Sequence, residues 1–453
     1  MPQVFPFHAI QFSQGAGSLT SLIAPPYDVL DNAGKAKLLA ANSKNIVGID
    51  LPHTPAKELG PPSAYENAAK QFRAMLGDGT LKKSDKPVIF AYRQTFTSEG
   101  AHGKQTFQRC GMACTVEVVP FGPRAGGGIL PHEETFSGPK EDRMALMKAT
   151  KAQLSPIFGL HADEHGQATK LVRDVMAKTA PTRVAELTDP TQTVKQELWE
   201  ITDAATIKAY QDALATEDIF IADGHHRYTT QINYLKQLES QGNVPANHPA
   251  RRSMMVLVSM SDPGLVIWPT HRVLGGMKDY TWGKFLTAAA EHMKFEPVGG
   301  GLRGLDKALE TTTHMGEHRF GLYDFATGNA SLAIPAAPDA LVGRFPEKPK
   351  AWRDLTVAFC QYIIVEQVCQ GKLNAGQAVK WAFPHTIKEV EDIGKGAETG
   401  AGGGAGFAQL AVVVRPTPLD AVRDVSRANQ LMPQKSTFFY PKLATGLFVN
   451  ALE

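Results

Sequence analysis

The 453-residue chain is 43% hydrophobic and 20% charged, an ordinary globular balance with length enough for two or three domains or one large one. Its 47 basic and 45 acidic residues leave a net charge of +2, which argues against a nucleic-acid-binding protein. The start has no basic leader with an apolar core, no apolar run approaches the roughly eighteen residues of a membrane span, and the four cysteines form no C-x-x-C pair; a cytoplasmic protein is expected, with no membrane partner.

In chain order, the first punctuation is Ala24-Pro25-Pro26-Tyr27-Asp28-Val29. Two prolines hold Tyr27 and Asp28 in a fixed extended or turn geometry; Asp28, Asp31 or Asn32 can then cap the helix that follows. Residues 50–63 hold four prolines and read as a surface loop, followed by a helical pattern through Tyr65, Ala68, Phe72 and Met75. Residues 86–92 and 106–119 read as strands. The glycine-rich stretch 122–128 has neither P-loop nor dinucleotide spacing.

It leads into Pro131-His132-Glu133-Glu134-Thr135, which lacks the second histidine of H-E-x-x-H and so is not a zinc-protease motif. His132, Glu133, Thr135, Lys140 and Arg143 nonetheless put an acid/base pair close to two cations, as a phosphorylated substrate would require; a solvated loop with salt bridges accounts for them about as well. Helices are expected over 144–153, 167–178 and 204–214, with a strand over 155–160.

Residues 218–235, DIFIADGHHRYTTQINYL, are the organising stretch. Ile219, Phe220, Ile221 and Ala222 suit a buried strand, Asp223-Gly224 signals a turn, and Tyr228, Ile232 and Leu235 recur at helix spacing. A strand meeting a helix through glycine leaves the first helical N–H groups as a seat for an anion. Asp223, His225, His226 and Arg227 crowd that seat, four ionisable groups in five residues.

Downstream, residues 254–260 read as an apolar strand that pairs with 265–268 and delivers Pro269-Thr270-His271-Arg272. Helices are expected over 282–293, from Asp354 onward and over 420–429, with strands over 320–324 and 409–414 and a low-complexity insertion at 395–406. In the stretch 431–442, Lys435, Ser436 and Thr437 lie between prolines and aromatics, as a lid or phosphate-binding loop or as a terminal strand with an exposed lysine.

IADGHHRY, PPYDV, PHEET with its following Lys and Arg, PTHR and MPQKSTFFYPK stand in order between Pro25 and Lys442. With these five motifs the chain resembles an uncharacterised bacterial and archaeal family, a domain of unknown function associated with serine biosynthesis. The D-G-H-H-R core is also similar, over a shorter span, to the ParB/sulfiredoxin-like superfamily, which includes free-serine kinases. That resemblance implies an α+β (mixed α/β) fold: a ParB/sulfiredoxin-like nucleotide-binding core over 1–275 and a C-terminal α/β region over 276–453 carrying the KST loop, the two forming separate domains or one continuous one.

It also implies that Gly224, His225, His226 and Arg227 hold a polyphosphate and that Asp223 binds a metal or a hydroxyl; from the residues themselves, Lys140, Arg143, Lys435, Ser436 and Thr437 are expected to assist at the phosphates, with Mg²⁺ held by Asp223 or through the phosphates. Tyr27, Asp28, His132, Thr135, His271 and Arg272 complete the expected substrate site, with serine or phosphoserine as substrate and ADP/ATP as co-substrate. Glu133 as general base rests on its chemistry alone, with His226 as the other candidate. Two readings stand beside phosphotransfer: a nucleotide-independent phosphoserine phosphatase passing through a phosphohistidine at His225 or His226, and a non-enzymatic nucleotide-binding switch.

Overall fold

Strands buried on both faces read as unbroken apolar runs rather than as alternating ones. Ile219–Asp223, Ile157–His161 and Arg252–Ser259 are such runs, and they lie side by side in one mixed sheet. The structure is a computed structural model and describes residues 2–55, 58–100, 103–133, 137–188, 192–311, 318–399 and 402–453. It is mixed α and β throughout, and divides into two compact units: residues 1–131, 135–266 and 441–453, and residues 132–134 and 267–440. The first unit thus takes in the last residues of the sequence, a more interleaved arrangement than a single boundary after residue 275.

The sheet of the first unit runs in the order Ile129–Leu130, Ile219–Asp223, Ile157–His161, Arg252–Ser259, Gly103–Glu117, Ile89–Gly100, Thr193–Ile201, Arg183–Thr188, with Val4–Phe5 paired to the end of Gly103–Glu117. Ile219–Asp223 is parallel to Ile129–Leu130 and antiparallel to Ile157–His161, which is itself parallel to Arg252–Ser259. One core, including Met112, Cys114, Trp199, Tyr210 and Ile221, is closed by the helices Gln167–Lys178 and Ala204–Ala213. The helix Ser137–Thr150 packs on both Pro62–Gly77 and His225–Gln241. A second sheet in this unit orders Leu81–Lys83, Ala9–Phe12, Val449–Ala451 and Ala152–Gln153. Of the expected caps, Asp31 starts the helix Asn32–Ala41, accepting from the Gly34 amide at 2.7 Å.

The second unit is built on an antiparallel sheet in the order Met293–Val298, Ala330–Pro335, Phe320–Asp324, Leu410–Val413, Arg272–Gly275, Lys380–Ala382. Period-two alternation sends Leu274, Leu410 and Val412 into one core, and Val273, Ala411 and Val413 into another. Three local expectations differ here. Val266–Trp268 pairs with Phe438–Tyr440 instead of with the 252–259 strand. The helix Trp282–Ala289 ends before Met293, which opens a strand. The helix after Asp354 widens into π-helical Cys360–Lys372, closed by a bond from Leu373 N–H to Val368 C=O. Leu355, Phe359, Val365, Val368 and Cys369, the apolar residues the pattern marks as core, are buried in the core, with Tyr362 partly buried against them.

Candidate functional site

The strand Ile219–Asp223 ends in a bulge: Ile221 faces Gly159, but Asp223 faces Phe158, so Ala222 is the extra residue. Bulges re-aim the side chain that follows them. Gly224 then takes φ +100, a left-handed value that glycine adopts without cost, and the helix His225–Gln241 starts with no side-chain cap. A Cβ on Gly224 would lie 3.1 Å from the Arg227 guanidinium, which folds back across the turn.

Arg227 donates to Asp223 Oδ2 and to the Pro156 carbonyl. The other Asp223 oxygen, Oδ1, accepts from Lys442 Nζ. The three side chains are only 11–16% exposed, so solvent screens the cluster little. Burial alone would raise the Asp223 pKa; Lys442 first and Arg227 second outweigh it and hold the carboxyl well below the usual range. Lys442 is in turn fixed from the sheet. Gln94 Nε2 donates to its carbonyl at 3.1 Å, while buried Arg109 donates to the Pro441 carbonyl and to Gln94 Oε1, its guanidinium 4.5 Å from the centre of the Phe158 ring. His225 is buried and His226 half-buried in the first turn of the helix.

A second cluster in the same unit centres on Arg143, on the helix Ser137–Thr150. Its Nε donates to Asp142 Oδ2 at 2.7 Å, its Nη1 to the Asp50 carbonyl at 2.7 Å, and its guanidinium lies 3.9 Å over the ring of Tyr27. Asp142 Oδ1 also receives Tyr65 Oη at 2.8 Å and lies 2.7 Å from His53 Nε2. Asp50 Oδ2 accepts from Ser155 Oγ at 2.9 Å; burial raises the Asp50 pKa, with Arg143 and Ser155 opposing. Tyr27, Asp50, Arg143, Ser155, Arg227 and Ser253 border a half-open cavity of about 40 Å³. Asp28, beside Tyr27, is exposed, and Lys140 is half-buried one turn from Arg143.

The remaining expected residues that the structure describes belong to the second unit. Glu133 Oε1 accepts the amides of Ser436 at 3.0 Å and Thr437 at 3.1 Å, and His132 Nε2 lies 2.8 Å from Thr437 Oγ1. Arg272 donates to the carbonyls of Thr270 and Lys435, and Ser436 Oγ to the Pro433 carbonyl. The loop is therefore pinned on several sides, leaving the Lys435 side chain exposed at φ +59. His271 Nδ1 accepts from the Val414 amide at 3.2 Å; burial, helped by His385 and Arg272, drops its pKa to about 3, so it is neutral. Thr135 lies outside the described residues.

The first unit therefore joins Asp223, Gly224 and Arg227 with Lys442, and the second joins His132 and Glu133 with Ser436 and Thr437. Lys442, Asp50, Ser155, Gln94 and Arg109 escaped the sequence reading of the site; only Lys442 had a local signal, as a lysine closing the FFYPK motif. Mg²⁺ does not fit the residues as they stand. Both Asp223 oxygens are taken by cations, and no group of three potential metal ligands occurs among the described residues.

A comparison with curated proteins finds no match. Among solved structures the chain is similar to a free serine kinase mutant in complex with ADP, at 11% identity and TM-score 0.34, over 73% of this chain and 95% of that one. It is similar to a conserved hypothetical protein from Pyrococcus furiosus, at 13% identity and TM-score 0.30, over 72% and 96%. It is also similar to SbnI with a C-terminal truncation from Staphylococcus aureus, at 11% identity and TM-score 0.32, over 74% and 85%. Among the described residues no helix is long and apolar enough to cross a membrane. Residues 4–357 match the family described as "Protein of unknown function (DUF1015)", and the chain belongs to that family.

Proposed function

We propose that the chain is a phosphotransferase acting between an adenine nucleotide and serine or phosphoserine, with the turn at Asp223–Arg227 as its phosphate-binding centre. The observation that carries this reading is the convergence of Arg227 and Lys442 on one half-buried carboxylate at a helix N-terminus. Phosphoryl transfer needs positioning and neutralisation of the phosphoryl oxygens more than covalent machinery. Two cations already held within one hydrogen bond of an oxyanion provide that neutralisation, and the Asp223 carboxylate keeps them in place between turnovers. The nucleotide and the serine come from the motif resemblance, not from the geometry.

From phosphoserine to ADP, the bond between phosphorus and the serine oxygen breaks and one to a terminal oxygen of ADP forms. His226, at the start of the helix, returns the proton to the serine oxygen; in the reverse direction it removes it. Glu133 is assigned to holding the 433–437 loop, since its Oε1 is engaged by two amides.

The test incubates the protein with phosphoserine, with and without ADP. ATP and serine forming only with ADP is the expected result. Phosphate released without nucleotide would replace this reading by the phosphatase, and nucleotide binding with no product by the switch.

A further inference from the structure

The cavity beside Arg227 has a lining that the phosphate centre does not explain. Ser253 Oγ is fully buried and has no hydrogen-bond partner among the described residues. A hydroxyl buried without a partner is destabilising unless something else fills the space it faces. Across the same cavity stand the Arg143 guanidinium, 6% exposed, and the Asp50 carboxylate, 3% exposed, with Arg143 Nη1 3.5 Å from Asp50 Oδ1.

These charges choose the ligand. Arg143 and Asp50 offset one another within the lining, so a ligand of a single sign would add a buried charge that the lining does not match. A ligand carrying both signs on neighbouring atoms satisfies both walls. The volume of about 40 Å³ is room for roughly three water-sized groups, the bulk of one ammonium and one carboxylate on a shared carbon. Apolar Leu146, Ile157 and Met254 also line the cavity.

We infer that this cavity is a binding pocket for the zwitterionic head of a small α-amino acid, with Arg143 taking the carboxylate, Asp50 the ammonium, and Ser253 Oγ donating to a carboxylate oxygen. This deepens the phosphotransfer reading, and the cavity's border with Arg227 directs the amino acid's side chain toward the phosphate centre.

The test is calorimetric titration of the full chain with serine, ethanolamine and glycerate, which respectively keep both charged groups, lack the carboxylate and lack the ammonium. Serine is expected to bind roughly ten- to a hundred-fold more tightly than either, the effect of losing one charge-assisted hydrogen bond. Ser253→Val, which fills the cavity, is expected to weaken serine at least roughly ten-fold and leave ADP affinity unchanged. Equal binding of the three ligands, no serine binding by the wild type, or wild-type serine affinity in Ser253→Val would overturn the pocket. The ligand series on the wild type decides even where the variant does not fold. Absence of ADP binding would instead sink the phosphotransfer reading, with the serine series still deciding the pocket.

Discussion

Lys442 and Asp223, 219 positions apart in sequence, form an ion pair in which the carboxylate is shared with Arg227. The lysine thus belongs to the DGHHR turn as fully as the residues within it. Replacing it as Lys442→Met leaves Asp223 with Arg227 alone, and turnover is expected to fall by about 10²–10³, the usual cost of one charge-stabilising group. Steady-state assay of ATP formation checks this.

The same pair sets a pH dependence. The Asp223 pKa is depressed in the folded protein, so its contribution is fully present above the ordinary carboxylate range and is lost as pH falls through the lower folded value. In Lys442→Met the depression shrinks, and acid unfolding followed by fluorescence is expected to begin at higher pH than in the wild type.

Gly224 is demanded twice, by φ +100 and by the guanidinium 3.1 Å from where a Cβ would stand. Gly224→Ala is expected to cost about 1–3 kcal/mol of stability, the range for a strained backbone position. The added Cβ also crowds the Arg227 guanidinium and shifts it against Asp223, so ADP affinity measured by calorimetry should fall together with the denaturation midpoint.

Glu133 separates a base from an anchor. As an anchor its value lies in accepting the Ser436 and Thr437 amides, so Glu133→Ala is expected to destabilise by about 2–3 kcal/mol. Glu133→Gln keeps one acceptor oxygen and should retain near-wild-type turnover. Loss of turnover in Glu133→Gln with an unchanged melting temperature would return the residue to the role of base.

Two imidazoles are buried in their neutral form. Burial lowers His161 to about 4 against the opposing pull of Asp163, and lowers His271 to about 3. Both folded values lie below the unfolded one, so their stabilisation is present above about pH 6.5 and is lost as pH falls toward 4 and then 3. Imidazole NMR signals of these two residues should stay in the neutral position at pH 5, while the melting temperature declines below pH 6.

What sequence made legible was local. The run Ile219–Ala222, the glycine and the spacing of Tyr228, Ile232 and Leu235 each carry their own signal, and the strand, turn and helix stand where expected. Partners brought in by topology carried none. Asp50 ends a four-residue helical turn and reads in sequence as one more loop carboxylate. Arg109 lies in a strand that looks self-sufficient, yet its guanidinium holds a segment 332 residues away. The 265–268 run failed for a related reason: a short turn made hairpin pairing the nearest choice, whereas its partner strand comes from the 438–440 region.

The strand Val449–Ala451 lies between Ala9–Phe12 and Ala152–Gln153. A ribosome emits those two flanking strands long before the one that joins them. At typical elongation rates the gap between residues 266 and 441 lasts roughly ten to thirty seconds, during which both flanking edges stay unpaired. The later-made 267–440 unit can therefore complete its own packing before this four-stranded sheet closes, although the larger sheet, made wholly from residues 4–259, needs nothing from it. Nascent chains arrested before residue 449 should accordingly be more protease-sensitive around Ala9–Phe12 and Ala152–Gln153.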